Sequence, residues 1–471
     1  MNVTPTYDPL LVELTRYAHG PEAGSEEAFR NARISLGDAL GCAWRALALP
    51  ACRRVLPPLG PVGAPADGLP VPGLRVSLDP VQAAFALGTM VRWLDYNDTW
   101  LAREWGHPSD NLGALWVAAL LSSREKRSAV PMRTLLAALI KAYEIQGVLA
   151  LGTALNLYGF DHVFYVRLAS TAVCSVLLGT DEETTLRALS NAVVDGAALR
   201  TYRHAPNTGS RKSWAAGDAT ARGLWHVLLA RRGEMGYPGA LSTSTWGFED
   251  AVLRGERLTL PRALNSYVME NILYKVSYPA EFHAQTAVEA AVALHAEIGG
   301  RTEEIESIEL ETQEAGLRII HKTGPLRNPA DRDHCLEYMV AVALLRGTLR
   351  VEDYEDEQAR DPRIDTLRAR MTVRENPAFT RDYHDPDKRT IPNAVHLVMR
   401  DGRRHERLIA APLGHRSRRT EARPLLIEKF RHNAAMALPP ERVERLAALC
   451  FGQGNELDTM TVEDFATLLT A

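Results

Sequence analysis

Two short stretches of this sequence gather side chains that could transfer a proton or hold an anion. The first is Asp95-Tyr96-Asn97-Asp98-Thr99-Trp100, followed by Gly106-His107-Pro108-Ser109-Asp110-Asn111. Here one helical pattern stops and another starts, so carboxylates, hydroxyls and an imidazole share space with freed helix-terminal amides. The competing assignment is structural: Ser109 or Asp110 caps the next helix, and Asp95 and Asp98 are solvated turn residues. The second is Arg203-His204-Ala205-Pro206-Asn207-Thr208-Gly209-Ser210-Arg211-Lys212-Ser213, a Gly/Pro-bent loop ahead of a helix. A helix N-terminus with adjacent cations is a ready anion site, whereas an ordinary exposed basic loop is the alternative. Lys accounts for only seven of the 54 basic residues, so Lys212 departs from the chain's habit of using Arg.

Three further stretches have weaker claims. Asp161-His162 precedes an apolar helix, where a lone histidine is usually structural. Lys275-Val276-Ser277-Tyr278-Pro279-Ala280-Glu281-Phe282-His283 lies where the helical pattern gives way, and clefts favour such junctions. Asn328-Pro329-Ala330-Asp331-Arg332-Asp333-His334-Cys335-Leu336-Glu337-Tyr338 mixes charge with an aromatic before an apolar helix, and could be no more than a capped helix start.

The elements that must position these groups are mostly helical. Asp79-Pro80 reads as an N-cap with Pro at the first helical position, and Val81, Phe85, Met90, Val91 and Leu94 follow at helical spacing. Similar periodicity predicts helices over roughly 27–50, 112–123, 132–151, 166–179, 183–198 and 214–232. Residues 56–73 hold six prolines and four glycines, which excludes a helix or central strand and predicts a surface connector. After about residue 300 the period changes. Ile308, Leu310 and Thr312 alternate with Ser307, Glu309 and Glu311 as in a half-buried strand, and another strand is expected over 369–374. Val395–Met399 and Arg403–Ile409 flank Asp401-Gly402, a hairpin signal. The expected fold is therefore mainly α with an α+β lid: a helical domain from residues 1–279 and 406–471, interrupted by a smaller unit over 280–405.

Composition narrows the function. With 54 Lys+Arg against 58 Asp+Glu there is no field to concentrate nucleic acid or an anionic membrane, so anion binding must be local. The five cysteines are never closer than ten residues. They form neither a disulfide framework nor the clustered thiolates of an iron–sulfur or zinc centre, and the expectation is no metal and no cofactor. The motifs H-E-x-x-H, G-x-x-x-x-G-K-[ST] and G-x-S-x-G are absent from the sequence. The N-terminus has neither the basic start nor the apolar run of a signal peptide, and no apolar stretch reads as long enough to span a bilayer. A cytoplasmic protein is expected.

Taken as whole strings, RWLDYNDTWLAREWGHPSDN, LRTYRHAPNTGSRKSWAAGDAT, YPAEFHAQTAVEAA and NPADRDHCLEYMVAVALL resemble the MmgE/PrpD family over nearly the whole chain and in the same order. The resemblance implies a helical domain built from both chain ends, an α+β lid and a homodimer. It also implies a small tricarboxylate substrate, first of all dehydration of 2-methylcitrate in propionate catabolism through the methylcitrate cycle, with citrate or cis-aconitate as further substrates. Cis-aconitate decarboxylation is the alternative within the family, and a non-catalytic tricarboxylate binder the alternative outside it. By motif it implicates Asp95, Thr99, His107, His162, Lys212 and Lys275 in a cleft between body and lid, with Tyr338 a weaker transfer. Leu101 stands where the decarboxylases carry a histidine, and HPSDN where they tend to read HPSGA; both departures favour a dehydratase. On that reading His107 is base or acid with Asp95 orienting it, and His162 serves the leaving hydroxyl. Lys212 and Lys275 neutralise the carboxylate beside the acidified carbon, while Arg203 or Arg211, beside His204, grips the others bidentately.

Overall fold

The computed structural model describes residues 6–59, 67–126, 128–204 and 206–470. Its helices start where the sequence offers caps. Ser25 accepts from the Ala28 amide ahead of helix Glu26–Leu47, and Asp79 accepts from the Val81 and Gln82 amides ahead of Pro80–Arg92. Asp181 does the same for Glu182–Val194 through the Thr184 amide. With Leu112–Lys126, Met132–Gly152, Val163–Leu177 and Arg211–Ala230 these helices form a body around one large apolar core.

The chain's end returns to that core. Helices Arg419–Ala434, Pro440–Phe451 and Val462–Leu468 contribute Leu426, Phe430, Leu446 and Phe465 to it, and Phe430 meets Trp44 edge to face at 6.1 Å. A buried ion pair, Lys429 to Asp38 at 2.7 Å, joins the same two elements. Helices cross most closely where small residues allow it: a Cβ on Gly217 would lie 2.3 Å from Thr89 Oγ1 and 2.5 Å from the Phe85 carbonyl oxygen.

A second apolar core lies within residues 280–399. Its sheet has the order 371–375, 305–312, 393–399, 404–409, with the first pair parallel and the others antiparallel. Ile308 pairs with Leu397 and Leu310 with Val395, so one face is apolar and carries helix Gln285–Glu297, against which helix Leu336–Arg346 packs. Gly402 supplies the left-handed conformation, φ 84°, that the Asp401-Gly402 turn requires. The last strand runs on to Ile409.

Two expectations are corrected. Helix Met132–Gly152 is, by length and composition, long and apolar enough to cross a membrane. It is instead a core helix: 83% of its most apolar 18-residue window is buried among the other body helices. The Pro/Gly-rich stretch 56–73 lies partly outside the described residues, and its second half is not a surface connector. Leu69 and Val71 are 1% exposed, and Leu69-Pro70 pairs antiparallel with Ser77-Leu78, so apolar burial wins locally over the breaking tendency of proline.

Candidate active site

Three backbone bridges assemble a polar cavity of about 300 Å³ between the body and the lid. Helix Pro80–Arg92 ends just before Asp95, which takes a left-handed conformation, φ 50°, that costs a non-glycine residue energy. Thr99 exchanges backbone hydrogen bonds with Leu273 at 2.8 and 3.0 Å, laying Lys275 against Asp95. Trp100 and Gly106 exchange theirs at 2.8 and 3.2 Å, returning His107 to the side of Thr99. Phe160 bridges to Leu199, which sets Asp161 and His162 beside Arg200 and Arg203.

The hydrogen bonds of His107 define its tautomer. Nδ1 lies 2.7 Å from the Asp98 carbonyl oxygen, which can only accept, so Nδ1 carries the hydrogen and Nε2 is a bare lone pair in the cavity wall. Thr99 Oγ1 is 3.3 Å from the same Nδ1. Burial and the Arg92 guanidinium hold this imidazole well below its ordinary value, outweighing Asp95. His162 differs. Nδ1 is 3.0 Å from Asp161 Oδ1 and Nε2 3.8 Å from Asp110 Oδ2, and although burial opposes the charge, the Asp161 carboxylate and Asp110 raise its pKa. The two rings meet edge to face with centroids 5.7 Å apart. A ready proton acceptor thus stands next to a ready proton donor.

Asp95 is the hub. Its Oδ1 accepts from Lys275 Nζ at 2.5 Å and from Arg92 Nη1 at 2.6 Å, and it lies 3.7 Å from His107 Nε2. Burial favours the neutral acid, yet Arg92 and Lys275 hold the carboxyl well below the usual carboxylate range. Lys275 is 0% exposed and also donates to the Asp95 carbonyl at 2.5 Å, so its charge reaches the cavity through Asp95. Lys212 likewise stands behind the wall, in the first turn of helix Arg211–Ala230, with Nζ 2.5 Å from both oxygens of Asp333.

The guanidinia in the cavity wall are those of Arg92, Arg200, Arg203 and Arg318, facing the carboxylates of Asp95 and Glu281. Arg203 is paired with Asp161 through Nε and, at 3.2 Å, through Nη2. Arg200 and Arg318 lie against Trp105, 5.1 and 5.5 Å from its ring centroid, and Arg318 comes from lid helix Glu314–Ile320. Burial lowers the pKa of Arg200 from a value so high that it stays charged. His204 lines the cavity as an exposed residue.

Of the residues singled out from the sequence, Asp95, His107, His162, Arg203 and His204 line this cavity, and Thr99, Lys212 and Lys275 stand against those that do. Two are elsewhere. Arg211 lies over Trp214 at 4.2 Å, and Tyr338 donates from within the lid core to the Asp353 carbonyl at 2.5 Å. Sequence reasoning passed over Arg92, Arg200, Glu281, Arg318 and His334 as site residues. Arg92, Arg200, Glu281 and His334 lie inside the strings that carried the resemblance, so the signal was there without a role attached. Arg318 pairs with Glu314 one helical turn away, the mark of a solvated helix face, and nothing local distinguishes it. Among the described residues the group spaced to hold a metal is Glu309, Glu311 and His396 on the lid sheet, where Arg374 already bonds both glutamates.

A neutral histidine beside one whose pKa is raised, in an arginine-walled cavity, is an arrangement that can move protons next to a polyanion. The chain matches the MmgE/PrpD N-terminal domain over residues 12–261 and the MmgE/PrpD C-terminal domain over residues 278–453, and it belongs to that family. It is 52% identical to the 2-methylcitrate dehydratase of Cupriavidus necator over 98% of this chain and 97% of that protein. It is 49% identical to the 2-methylcitrate dehydratase of Salmonella typhimurium over 99% and 98% of the two chains. It is 45% identical to the mitochondrial 2-methylcitrate dehydratase of Yarrowia lipolytica over 99% of this chain and 91% of that one.

Proposed function

We propose that the protein is a hydro-lyase that dehydrates 2-methylcitrate to 2-methyl-cis-aconitate. The observation that carries this reading is the pairing of His107, with a bare Nε2, and His162, flanked by two carboxylates, inside a wall of four guanidinia. The substrate class follows from the relatives, and the cavity chemistry suits it. The bond from hydrogen to the methyl-bearing carbon breaks, its proton passes to His107 Nε2, and the electron pair becomes the new double bond. The bond to the tertiary hydroxyl breaks, and that oxygen leaves as water with a proton from His162. Asp95 compensates the imidazolium formed on His107. The guanidinia hold three carboxylates, including the one beside the acidified carbon, where charge builds up as the proton leaves. Thr99 stands beside the His107 ring and supports its orientation.

The family relationship also supports a homodimer and a place in propionate catabolism. The test is to incubate purified protein with 2-methylcitrate, citrate and cis-aconitate and follow the absorbance of the conjugated alkene. Alkene formed from 2-methylcitrate is the expected result. Carbon dioxide released from cis-aconitate, with no alkene from 2-methylcitrate, would make the protein a decarboxylase instead.

A further inference from the structure

His334 lines the cavity, yet the elimination above gives it no task. Its Nδ1 lies 2.8 Å from Asp333 Oδ1 and 3.0 Å from Lys212 Nζ. Lys212 can only donate, and it does so to both Asp333 oxygens, so the lysine and the ring share one acceptor. Asp333 Oδ1 can only accept and lies nearer to Nδ1 than Lys212 does, so Nδ1 carries the hydrogen and Nε2 is bare on the cavity side, 3.8 Å from Asp95 Oδ2. Lys212, Asp333 and His334 are 3%, 8% and 7% exposed, so water compensates none of them well.

Both His107 and His334 turn a bare Nε2 towards Asp95, but the other edge of His107 rests on a neutral carbonyl whereas that of His334 rests on a carboxylate, so His334 has an anion on each side to favour a proton. The charged groups around the ring are Lys212 from helix Arg211–Ala230, Asp333 beside it in sequence, Arg92 and Asp95 at the end of helix Pro80–Arg92, and Lys275 and Glu281 from the segment joining body and lid. Burial, followed by the Lys212 charge, holds the imidazole below its ordinary value. A polycarboxylate entering the cavity brings further negative charge to the Nε2 side. A proton there would bridge Asp95 and the ligand, while Asp333 keeps the other edge of the ring satisfied.

We propose that His334 takes up a proton as the polycarboxylate binds and becomes a further cation of the cavity, with Lys212 and Asp333 as the positioning pair that orients it. This rests on the cavity being the tricarboxylate site. It gives Lys212 a part in binding without direct contact with the substrate.

The test is calorimetric titration with tricarballylate, a tricarboxylate with no hydroxyl to lose, in buffers of differing ionisation enthalpy at pH 7.5. Wild-type protein should take up close to about one proton per ligand bound. His334→Gln should still bind, about ten- to a hundredfold more weakly, with most of the uptake gone. Lys212→Met removes the cation that disfavours the imidazolium, so the lower edge of the pH window for uptake should move upward. If His334→Gln does not fold, Asp333→Asn serves, and it should also reduce the uptake. Wild-type binding without proton uptake overturns the inference while leaving the proposed function intact. So does uptake that survives in His334→Gln or vanishes in His107→Gln instead. Failure of wild-type protein to bind tricarballylate overturns the inference, and the alkene assay on the same protein decides whether the proposed function falls with it.

Discussion

Replacing His107 by Gln separates chemistry from architecture in the cluster at the end of helix Pro80–Arg92. The ring makes one strong hydrogen bond, Nδ1 to the Asp98 carbonyl at 2.7 Å, and its loss should cost about 0.5–1.5 kcal/mol of stability. In a chain of this size that lowers Tm by no more than about 4 °C. Rate should respond far more. A positioned general base contributes about 100- to 10,000-fold, equivalent to about 2.7–5.4 kcal/mol in the barrier. The guanidinia are untouched, so KM should change little.

The pH profile adds a second readout. In the proposed mechanism His107 is the free base, and its pKa is held well below the ordinary imidazole value, so activity should fall only on the acid side of that value. The same mechanism makes His162 the acid, and its pKa is raised, so the alkaline limb should lie above the ordinary value. In His107→Gln the acid limb should disappear while the alkaline limb stays. Asp95→Asn should lose as much or less, and the double variant should cost less than the sum of the two if they act as a unit. Turnover within about threefold of wild type, or an acid limb that persists, would refute the assignment and transfer the base role to His162 or His334.

Other outcomes follow from the same geometry. Arg200→Gln should raise KM for 2-methylcitrate about ten- to a hundredfold with a smaller effect on kcat, measured by steady-state kinetics, because it removes a charged donor from the cavity wall. Dialysis against EDTA should leave turnover unchanged, since proton transfer falls to imidazoles and charge neutralisation to guanidinia; activity lost and then restored by iron or zinc would contradict this. Gly217→Ala should lower Tm by several degrees in thermal unfolding, because its Cβ would lie within 2.5 Å of the Phe85 carbonyl oxygen and 2.3 Å of Thr89 Oγ1, and backbone cannot swing aside.

Much of the helical body was legible because apolar periodicity and N-caps are local signals. Helix Pro80–Arg92 begins at the residues its cap announced, and strands Asn393–Met399 and Arg404–Ile409 flank the expected Asp-Gly turn. What was not legible depended on which surface each segment finds. Leu69 and Val71 are buried although the stretch around them holds six prolines, and the apolar length of Met132–Gly152, which the sequence reading put below a membrane span, meets that length but is covered by the other body helices. The site shows the same division. The polar clusters at 95–111 and 161–162 could be located from residue types, but the convergence of Arg92, Arg200, Arg203 and Arg318 is a tertiary event that brings a lid helix to the body.

The rarity of lysine in an arginine-rich chain drew attention to Lys212, and the junction between body and lid to Lys275, both as cations for the substrate's carboxylates. An ammonium is a compact point charge that a single carboxylate can satisfy, and each of these lysines is buried against one: Lys212 against Asp333 and Lys275 against Asp95, both at 2.5 Å. A guanidinium presents several donors in a plane, so Arg203 can bond Asp161 along one edge and still line the cavity with the rest. The two cation types therefore divide the labour by geometry. Arginines face the space where carboxylates of a substrate would lie. Lysines stand one layer back and keep Asp95 and Asp333 ionised, and those carboxylates lie beside the imidazoles of His107 and His334 that line the cavity.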